Sequence, residues 1–340
     1  MMARSAAWMI TVAAGVAFLA AGAGAQQPPA APGNTRQGDA GLQIVHVRPN
    51  FYMIAGAGAH IGVSIGPDGV VLVNTGTQQA GPAVLAEIRK ITLAPIRYII
   101  NTSADLDVLG GNATLGAFES VVNVAAHENV QLALSRPDSP TAQPFAIWPS
   151  ETWFEPRRYV WFNEEGIEIF HFNAHSDGDS IVFFRRSDVV VAGHVLDDTR
   201  FPVIDLARGG SIQGEIAALN KLIELAIPPG PLVGTPPAGI SLPQAQQPGV
   251  LSAMPGGTEV IGAYGRIYRQ LDIVEYRDMV VIIRDWINAY MDKNMTLDQI
   301  QAADPAKPWA SRFGATTGPW TTRQFVEAVY RSLMNERQRR

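Results

Sequence analysis

Cysteine is absent from all 340 positions of this chain. Without a thiol there can be no disulfide scaffold and no iron–sulfur cluster held by cysteine. A cysteine nucleophile and a zinc finger of the cysteine type are excluded for the same reason. Any chemistry must therefore come from oxygen and nitrogen side chains, and the stability must come from a packed core.

Charged residues are scarce, and basic residues are not in excess. Lys and Arg number 26 against 31 Asp and Glu, which gives a formal net charge of -5 at pH 7. A general nucleic-acid binder usually carries a basic footprint, so we expect no nucleic-acid partner. Because 47% of the residues are hydrophobic and only 17% are charged, the chain can bury a large core.

Long apolar runs are missing everywhere except at the beginning of the chain. Residues 1–25 place Arg4 before an apolar run that ends in Ala23, Gly24 and Ala25, the layout of a secretory signal peptide. Residues 26–40, rich in Gln, Pro, Ala and Gly, are predicted to form a disordered tether. We therefore expect a periplasmic or secreted protein with no stable membrane span after cleavage, the alternative being a retained membrane anchor.

The remaining sequence alternates between strand and helix patterns. Short runs rich in β-formers, such as 70–73 and 96–100, are followed by amphipathic stretches such as 278–291. The same plan occurs twice, which predicts an α/β protein with an αββα sandwich of two similar halves over residues 41–335. Two stretches, 136–158 and 228–256, are predicted as long loops, and the aromatic residues in the first favour a lid over a substrate groove.

Polar residues that could support catalysis follow three of the predicted strands. Asp105 and Asp107 come after one strand, His175 after a second and His194 after a third. Ligands bind at strand ends in open α/β sheets, so these two carboxylates and two imidazoles could converge into a metal site. The alternative from spacing alone is that the aspartates cap turns and the histidines are structural.

Five sequence segments in order resemble landmarks of the metallo-β-lactamase superfamily. Residues 102–111 read TSADLDVLGG, where that family has a Thr-His-x-His-x-Asp-His-x-Gly-Gly motif. Residues 72–76 (LVNTG) and 174–179 (AHSDGD) are similar to its Leu-Val-Asp-Thr-Gly and Gly-His-Thr-x-Gly-Asp motifs. His194 stands where the family has Gly-Asp, and Tyr264 stands where the last histidine is expected. The resemblance spans nearly the whole chain after residue 41 and implies the αββα fold.

The resemblance also implies that the usual pair of zinc ions is not retained. Of seven family ligand positions, Asp107 and His175 keep the family residue, whereas Asp105 and His194 are different residues that could still coordinate. The other three positions hold Ser103, Val108 and Tyr264. Ser103 and Tyr264 are poor ligands when neutral, and Val108 cannot coordinate a metal.

The resemblance therefore implies at most one metal ion. Asp105, His175 and His194 would be its ligands, Asp107 a ligand or a base, and Tyr264 a hydrogen-bond donor to a substrate oxygen. Zn, Fe or Mn would suit this donor set and would activate water for a hydrolase-like reaction on a small molecule. The alternative is a pseudoenzyme that binds a ligand or acts as a scaffold. The substrate is not indicated by the sequence.

Overall fold

Two β-sheets lie face to face and enclose the central core of the protein. The computed structural model describes residues 41–117, 123–138, 142–229 and 256–339. The predicted signal peptide, the predicted tether and most of the predicted loop 228–256 lie outside the described residues. The strands of the first sheet are β1 (Gln43–Arg48), β2 (Phe51–Ala55), β3 (Ile61–Gly66), β4 (Gly69–Val73), β5 (Ile96–Ile100), β6 (Asn123–His127) and β7 (Glu151–Trp153). The strands of the second sheet are β8 (Arg157–Phe162), β9 (Glu165–Phe172), β10 (Asp179–Phe184), β11 (Val189–Gly193), β12 (Glu259–Gly262) and β13 (Ile267–Tyr268).

Helices lie on the outer faces of these sheets and in the loops between the strands. They are α1 (Gly81–Ile91), α2 (Leu106–Leu109), α3 (Asn112–Ala117), α4 (Glu128–Ser135), α5 (Ile212–Leu225), α6 (Gln270–Asp292), α7 (Leu297–Ala303), α8 (Ala310–Phe313) and α9 (Thr322–Arg339). None of the helices in the described parts of the chain is both long and apolar enough to cross a membrane.

Strand direction gathers the important loops at one edge of the sandwich. In the first sheet, β4, β5, β6 and β7 are neighbours and run parallel. In the second sheet, β10 is antiparallel to both β9 and β11, and β11 is parallel to β12. Strands β9, β11 and β12 therefore share one direction, so the loops that follow them leave the sheet at the same edge.

Apolar side chains explain why the layers stack in this order. Between the sheets, Phe51 of β2 meets Phe184 of β10 edge to face, with ring centroids 4.8 Å apart. On the outer face of the first sheet, α1 buries Val84 and Ile88. Helices α5, α6 and α9 cover the outer face of the second sheet with a larger apolar cluster. Each amphipathic element thus buries one face, and the predicted αββα sandwich is confirmed.

The stretch 136–158 differs from the single long loop that its prolines predict. Residues 151–153 form β7, and β8 begins at Arg157. Trp153 is 3% exposed and belongs to the core between the sheets, whereas Phe145 and Phe154 are 79% and 70% exposed. The aromatic residues of this stretch therefore divide between the core and the surface, because strand pairing with β6 turns Trp153 inward.

Helix α6 is longer than the apolar periodicity over 278–291 predicts. It begins at Gln270, because the Asp272 carboxylate accepts a hydrogen bond of 2.7 Å from the backbone N–H of Arg269. This capping bond satisfies a donor that would otherwise be unpaired at the helix start, so the helix extends beyond its most periodic segment.

Candidate metal centre

All the polar residues singled out in the sequence lie at the loop edge of the sandwich. Asp105 and Asp107 lie in the segment after β5, at the start of α2. His175 follows β9, His194 follows β11 directly, and Tyr264 follows β12. Residues more than 150 positions apart in the chain therefore approach one another because their strands end at the same edge.

Asn74 holds the loop that carries the two aspartates. Its backbone has a φ of 69°, and its side-chain oxygen accepts hydrogen bonds from the N–H and the hydroxyl of Thr102, at 3.1 and 2.9 Å. Its amide group donates to the carbonyl oxygen of His60 at 3.3 Å. Thr102 in turn accepts a hydrogen bond of 2.9 Å from the N–H of Ser180. These buried bonds connect the loops of the two sheets and hold the segment that leads to Asp105.

Three side chains converge closely enough to share a metal ion. One ligand atom from each of Asp105, His175 and His194 lies within 4.8 Å of the others. The two imidazole rings have centroids 5.0 Å apart. Nδ1 of His175 lies 2.8 Å from the carbonyl oxygen of Val203, which can only accept, so this nitrogen carries the proton. Nε2 of His175 faces the site, 3.3 Å from Oδ2 of Asp105. Burial acts to lower the pKa of His175, but Asp105 outweighs it and raises the pKa above the ordinary value.

Asp107 lies beside this group and contacts His194 and Tyr264. Its Oδ2 atom is 3.2 Å from Nε2 of His194 and accepts a hydrogen bond from the Tyr264 hydroxyl. The contact with His194 lacks hydrogen-bond geometry, so Nε2 is buried with no hydrogen-bond partner among the residues that the structure describes. The two groups form an ion pair, and Nε2 would have to release its proton to bind a metal.

The remaining two family ligand positions contribute nothing that could coordinate strongly. Val108 is fully buried in a small apolar cluster beneath the loop. Ser103 donates its hydroxyl hydrogen to Oδ2 of Asp105 at 2.7 Å. Ser103 therefore supports a predicted ligand instead of acting as one.

Arg208 is a residue of the site that sequence reasoning missed. Its Nη2 atom lies 2.7 Å from Oδ1 of Asp105 and 3.2 Å from Nε2 of His175. A short 3₁₀ turn, Leu206–Arg208, carries it, and the Asp205 side chain caps this turn. The only local signal is the pairing of Asp205 with Arg208 three residues later, which does not reveal a contact with a residue 103 positions away.

Charge and burial act in opposite directions on the two aspartates. Burial would raise the pKa of Asp105, but the contact with His175 and the positive charges of His194 and Arg208 hold that pKa well below its ordinary value. Burial also acts to raise the pKa of Asp107, and His194 and Tyr264 together lower it below the ordinary value. Both carboxyl groups are therefore ionised at neutral pH and can only accept hydrogen bonds.

His194 and Tyr264 are shifted in the direction that complements these carboxylates. Burial acts to lower the pKa of His194, but the carboxylates of Asp107 and Asp105 outweigh it and raise the pKa to about 9. Burial and the neighbouring Asp107 raise the pKa of Tyr264 far above its usual range. The Tyr264 hydroxyl thus keeps its proton and donates a hydrogen bond to Asp107.

Three histidines outside the converging group make contacts within the fold. The rings of His127 and His171 are stacked, with centroids 3.5 Å apart and an angle of 3° between their planes. Nδ1 of His127 accepts from the N–H of Asn129 and so caps α4. His60 is 5% exposed, and its backbone joins two loops, because the backbone N–H donates to the carbonyl of Ala263 at 2.8 Å.

His60 should make the stability of the protein depend on pH below 6.5. Burial lowers its pKa to about 4, and its bond to Gly262 and the charge of Asp197 only partly oppose this shift. The unfolded chain binds a proton at higher pH than the folded chain does. The contribution of His60 to stability is therefore fully present above about pH 6.5 and is lost as the pH falls towards 4.

Between pH 6.5 and pH 4, the unfolding free energy of the wild type should decrease by about 3 kcal/mol more than that of His60→Gln. Urea denaturation at half-unit steps measures this decrease for both proteins. Between pH 7 and pH 9, where His60 does not titrate, the two pH profiles should run parallel. Equal decreases below pH 6.5 would contradict the assignment.

Comparison with known proteins places this arrangement in a family. The family model described as the metallo-beta-lactamase superfamily matches residues 58–229, which include Asp105, Asp107, His175, His194 and Arg208. No curated protein sequence matches the chain.

Two groups of solved structures are similar to the fold. The stereoselective inverting sec-alkylsulfatase Pisa1 from Pseudomonas sp. is 14% identical with a TM-score of 0.58, over 85% of this chain and 50% of that one. A metallo-beta-lactamase from Pontibacter korlensis is 14% identical with a TM-score of 0.51, over 70% of this chain and 98% of that one. The chain thus spans about half the length of the alkylsulfatase structures that it matches. At this level of identity the structures support the fold alone.

The family match covers half of the chain, the two sheets have the expected layers, and the loops bring the predicted side chains to one edge. This protein belongs to the metallo-beta-lactamase superfamily.

Proposed function

We propose that this protein is an exported hydrolase that acts on a small molecule, with one divalent cation held by Asp105, His175 and His194. The observation that carries the proposal is the convergence of these three side chains, whose ligand atoms lie within 4.8 Å of one another. Two imidazoles and one carboxylate form a donor set that suits Zn, Fe(II) or Mn(II). The signal-peptide pattern of residues 1–25 supports export.

The structure offers a direct test of whether these residues suit a cation. Nε2 of His194 is buried without a hydrogen-bond partner in the described residues, and it is turned towards the carboxylate of Asp107. His175 turns its Nε2 towards the site because its Nδ1 is bonded to Val203, and Nε2 would release its proton on binding a metal. The donor types and spacing therefore fit one cation, which when bound would polarise a substrate oxygen or lower the pKa of a water molecule.

Asp107 and Tyr264 have the protonation states that hydrolysis requires beside such a centre. Asp107 is ionised, is partly exposed and does not belong to the group of three, so it can accept a proton from an attacking water. Tyr264 keeps its proton and hydrogen-bonds to Asp107. It orients this carboxylate, and its hydroxyl could turn to donate to a substrate oxygen.

A second candidate function is a binding protein without catalysis. It is favoured by Arg208, which already bonds to two of the three predicted ligands. In this case the edge of the sandwich would bind a ligand through Arg208 and Tyr264, and no metal would be involved.

Metal content distinguishes the two candidates. After incubation with Zn²⁺, Mn²⁺ or Fe²⁺ and desalting, the wild type should hold about one equivalent of one of these metals, as expected of a single site. His175→Ala should hold less than about a tenth, because it removes one of three ligands. His46→Asn, which removes an imidazole from β1, should retain the wild-type metal content and serves as the matched control.

Activity provides the second part of this test. The metal-loaded protein should hydrolyse at least one class among lactams, thioesters, phosphoesters, lactones and alkyl sulfates. Asp107→Asn should reduce the rate of that reaction by about 100-fold or more, because the amide cannot accept the proton. A wild type that holds no metal and hydrolyses none of these classes would exclude the enzyme and favour the binding protein.

A further inference from the structure

We propose that the guanidinium group of Arg208 is a built-in cation of this site, and that a divalent metal binds Asp105 and His175 only by displacing it. The proposal deepens the function proposed above, since it concerns the same ligands. It adds that the protein without metal has a closed, charge-balanced site.

The position of Nε2 of His175 is one reason why Arg208 and a metal exclude each other. Nδ1 of His175 is bonded to the carbonyl of Val203, so Nε2 is the atom that could coordinate a metal. Nη2 of Arg208 already lies 3.2 Å from this atom and carries positive charge. A metal at Nε2, at a bond length of about 2 Å, would need this nitrogen without its proton and would place a second positive charge against the guanidinium.

The carboxylate of Asp105 is similarly committed. Its Oδ1 atom is 2.7 Å from Nη2 of Arg208, and its Oδ2 atom accepts the hydroxyl hydrogen of Ser103 at 2.7 Å. A charged and partly buried pair of this kind is stronger than a surface ion pair. A metal at Asp105 would bring a second positive charge beside Arg208, and the repulsion between the two cations favours displacement of the guanidinium.

Arg208 is held in place by its own loop and does not reach the site by chance. Its Nε atom donates to Oδ2 of Asp205 at 2.7 Å, while Oδ1 of Asp205 accepts from the backbone N–H of Ala207 and Arg208. The loop is joined to the histidine segment, because the N–H of Asp205 donates to the carbonyl of His175 at 2.8 Å. The side chain of Arg208 is only 13% exposed.

This placement of Arg208 is unfavourable in free energy at one nitrogen of the guanidinium. Nη1 of Arg208 is buried and, as far as the structure describes the chain, has no hydrogen-bond partner. An unpaired buried donor is unfavourable, and the bonds that Nη2 and Nε make offset this cost. Those bonds neutralise Asp105, which would otherwise be an uncompensated charge in a protein without metal.

The test is a Zn²⁺ titration by calorimetry on wild type, Arg208→Met and Arg208→Gln. Arg331→Met is the matched control, because Arg331 is an exposed arginine of α9 that pairs with Glu327. Both Arg208 variants should bind one Zn²⁺ at least about tenfold more tightly than the wild type, the size expected if about 1.4 kcal/mol is spent on displacing the guanidinium. The control should stay within about twofold of the wild type.

Thermal unfolding gives a second readout that does not depend on activity. Without metal, Arg208→Met and Arg208→Gln should melt below the wild type, because Asp105 loses its partner. Added Zn²⁺ should raise their melting temperature by more than it raises that of the wild type. The glutamine variant retains a polar group and provides the test if the methionine variant does not fold.

Two outcomes would overturn the inference: equal Zn²⁺ affinity in wild type and the Arg208 variants, or no Zn²⁺ binding by the variants. Different outcomes would contradict the proposed function. If the wild type stays free of metal while the variants bind one equivalent, the metal-dependent hydrolase is excluded but the role of Arg208 stands. If the wild type binds metal as well as the variants do and hydrolyses a substrate, only the role of Arg208 falls.

Discussion

Replacing Gly193 by alanine should lower the unfolding free energy by about 3 kcal/mol. Gly193 has a φ of +54°, and a Cβ atom there would lie 2.3 Å from Oγ1 and 2.8 Å from Cβ of Thr102. The left-handed conformation alone costs alanine about 1 kcal/mol, and overpacking adds about 1–3 kcal/mol. Thr102 cannot move away easily, because it is buried and its hydroxyl donates to Asn74.

The same substitution should disturb the site, since His194 is the next residue. Urea denaturation measures the loss of stability, and the Zn²⁺ titration described above measures the effect on the ligands. Gly116→Ala in α3 is the matched control: beyond its own helix, no described residue places an atom within 4 Å of the added methyl group, and the helix should gain up to about 1 kcal/mol. A Gly193→Ala protein within about 1 kcal/mol of the wild type would contradict the predicted clash.

Replacing Glu215 by methionine should stabilise the protein by about 2 kcal/mol at pH 8. Glu215 lies on the buried face of α5 and is 1% exposed, and neither carboxyl oxygen has a hydrogen-bond partner in the described parts of the chain. Burying an unpaired carboxyl group is unfavourable by about this amount, whereas methionine has a similar shape and no such penalty.

The stabilisation produced by Glu215→Met should increase with pH. Burial, reinforced by the charge of Asp179, raises the pKa of Glu215 well above its ordinary value. The stability that the protonated form contributes is therefore complete at low pH and is lost as the pH rises towards the raised pKa. Denaturation at pH 5 and pH 8 should show the larger gain at pH 8.

Glu224 provides the control for this substitution on the same helix. Its side chain is 68% exposed and pairs with Lys221, so Glu224→Met should change stability by less than about 0.5 kcal/mol. A Glu215→Met protein that is less stable than the wild type at pH 8 would show that the carboxyl group has a favourable role in the folded state.

Local patterns predicted the layers of this protein well, and their failures have physical causes. The fully apolar runs of β4 and β11 indicate buried central strands, because both faces of such strands are covered. The stretch 136–158 was harder to interpret, since its prolines indicate a loop while Trp153 packs between the sheets. Which aromatic residue turns inward depends on pairing with β6, and that pairing is not encoded within the stretch itself.

The candidate site shows the same division between local and long-range information. Asp105, His175 and His194 could be selected from the sequence, because each follows a predicted strand and matches a family landmark position. The contact of Tyr264 with Asp107 was not predicted, although both residues were singled out. Arg208 was missed altogether, because nothing in a short capped turn indicates which distant carboxylate it will meet.

Residue type, periodicity and order along the chain were enough to predict the αββα class and to exclude thiol chemistry. The convergence of three ligand candidates, and the contact of Arg208 with two of them, could be recognised only in the folded chain. Such contacts join loops from strands distant in the chain. They arise from strand direction and sheet packing, which no local pattern specifies.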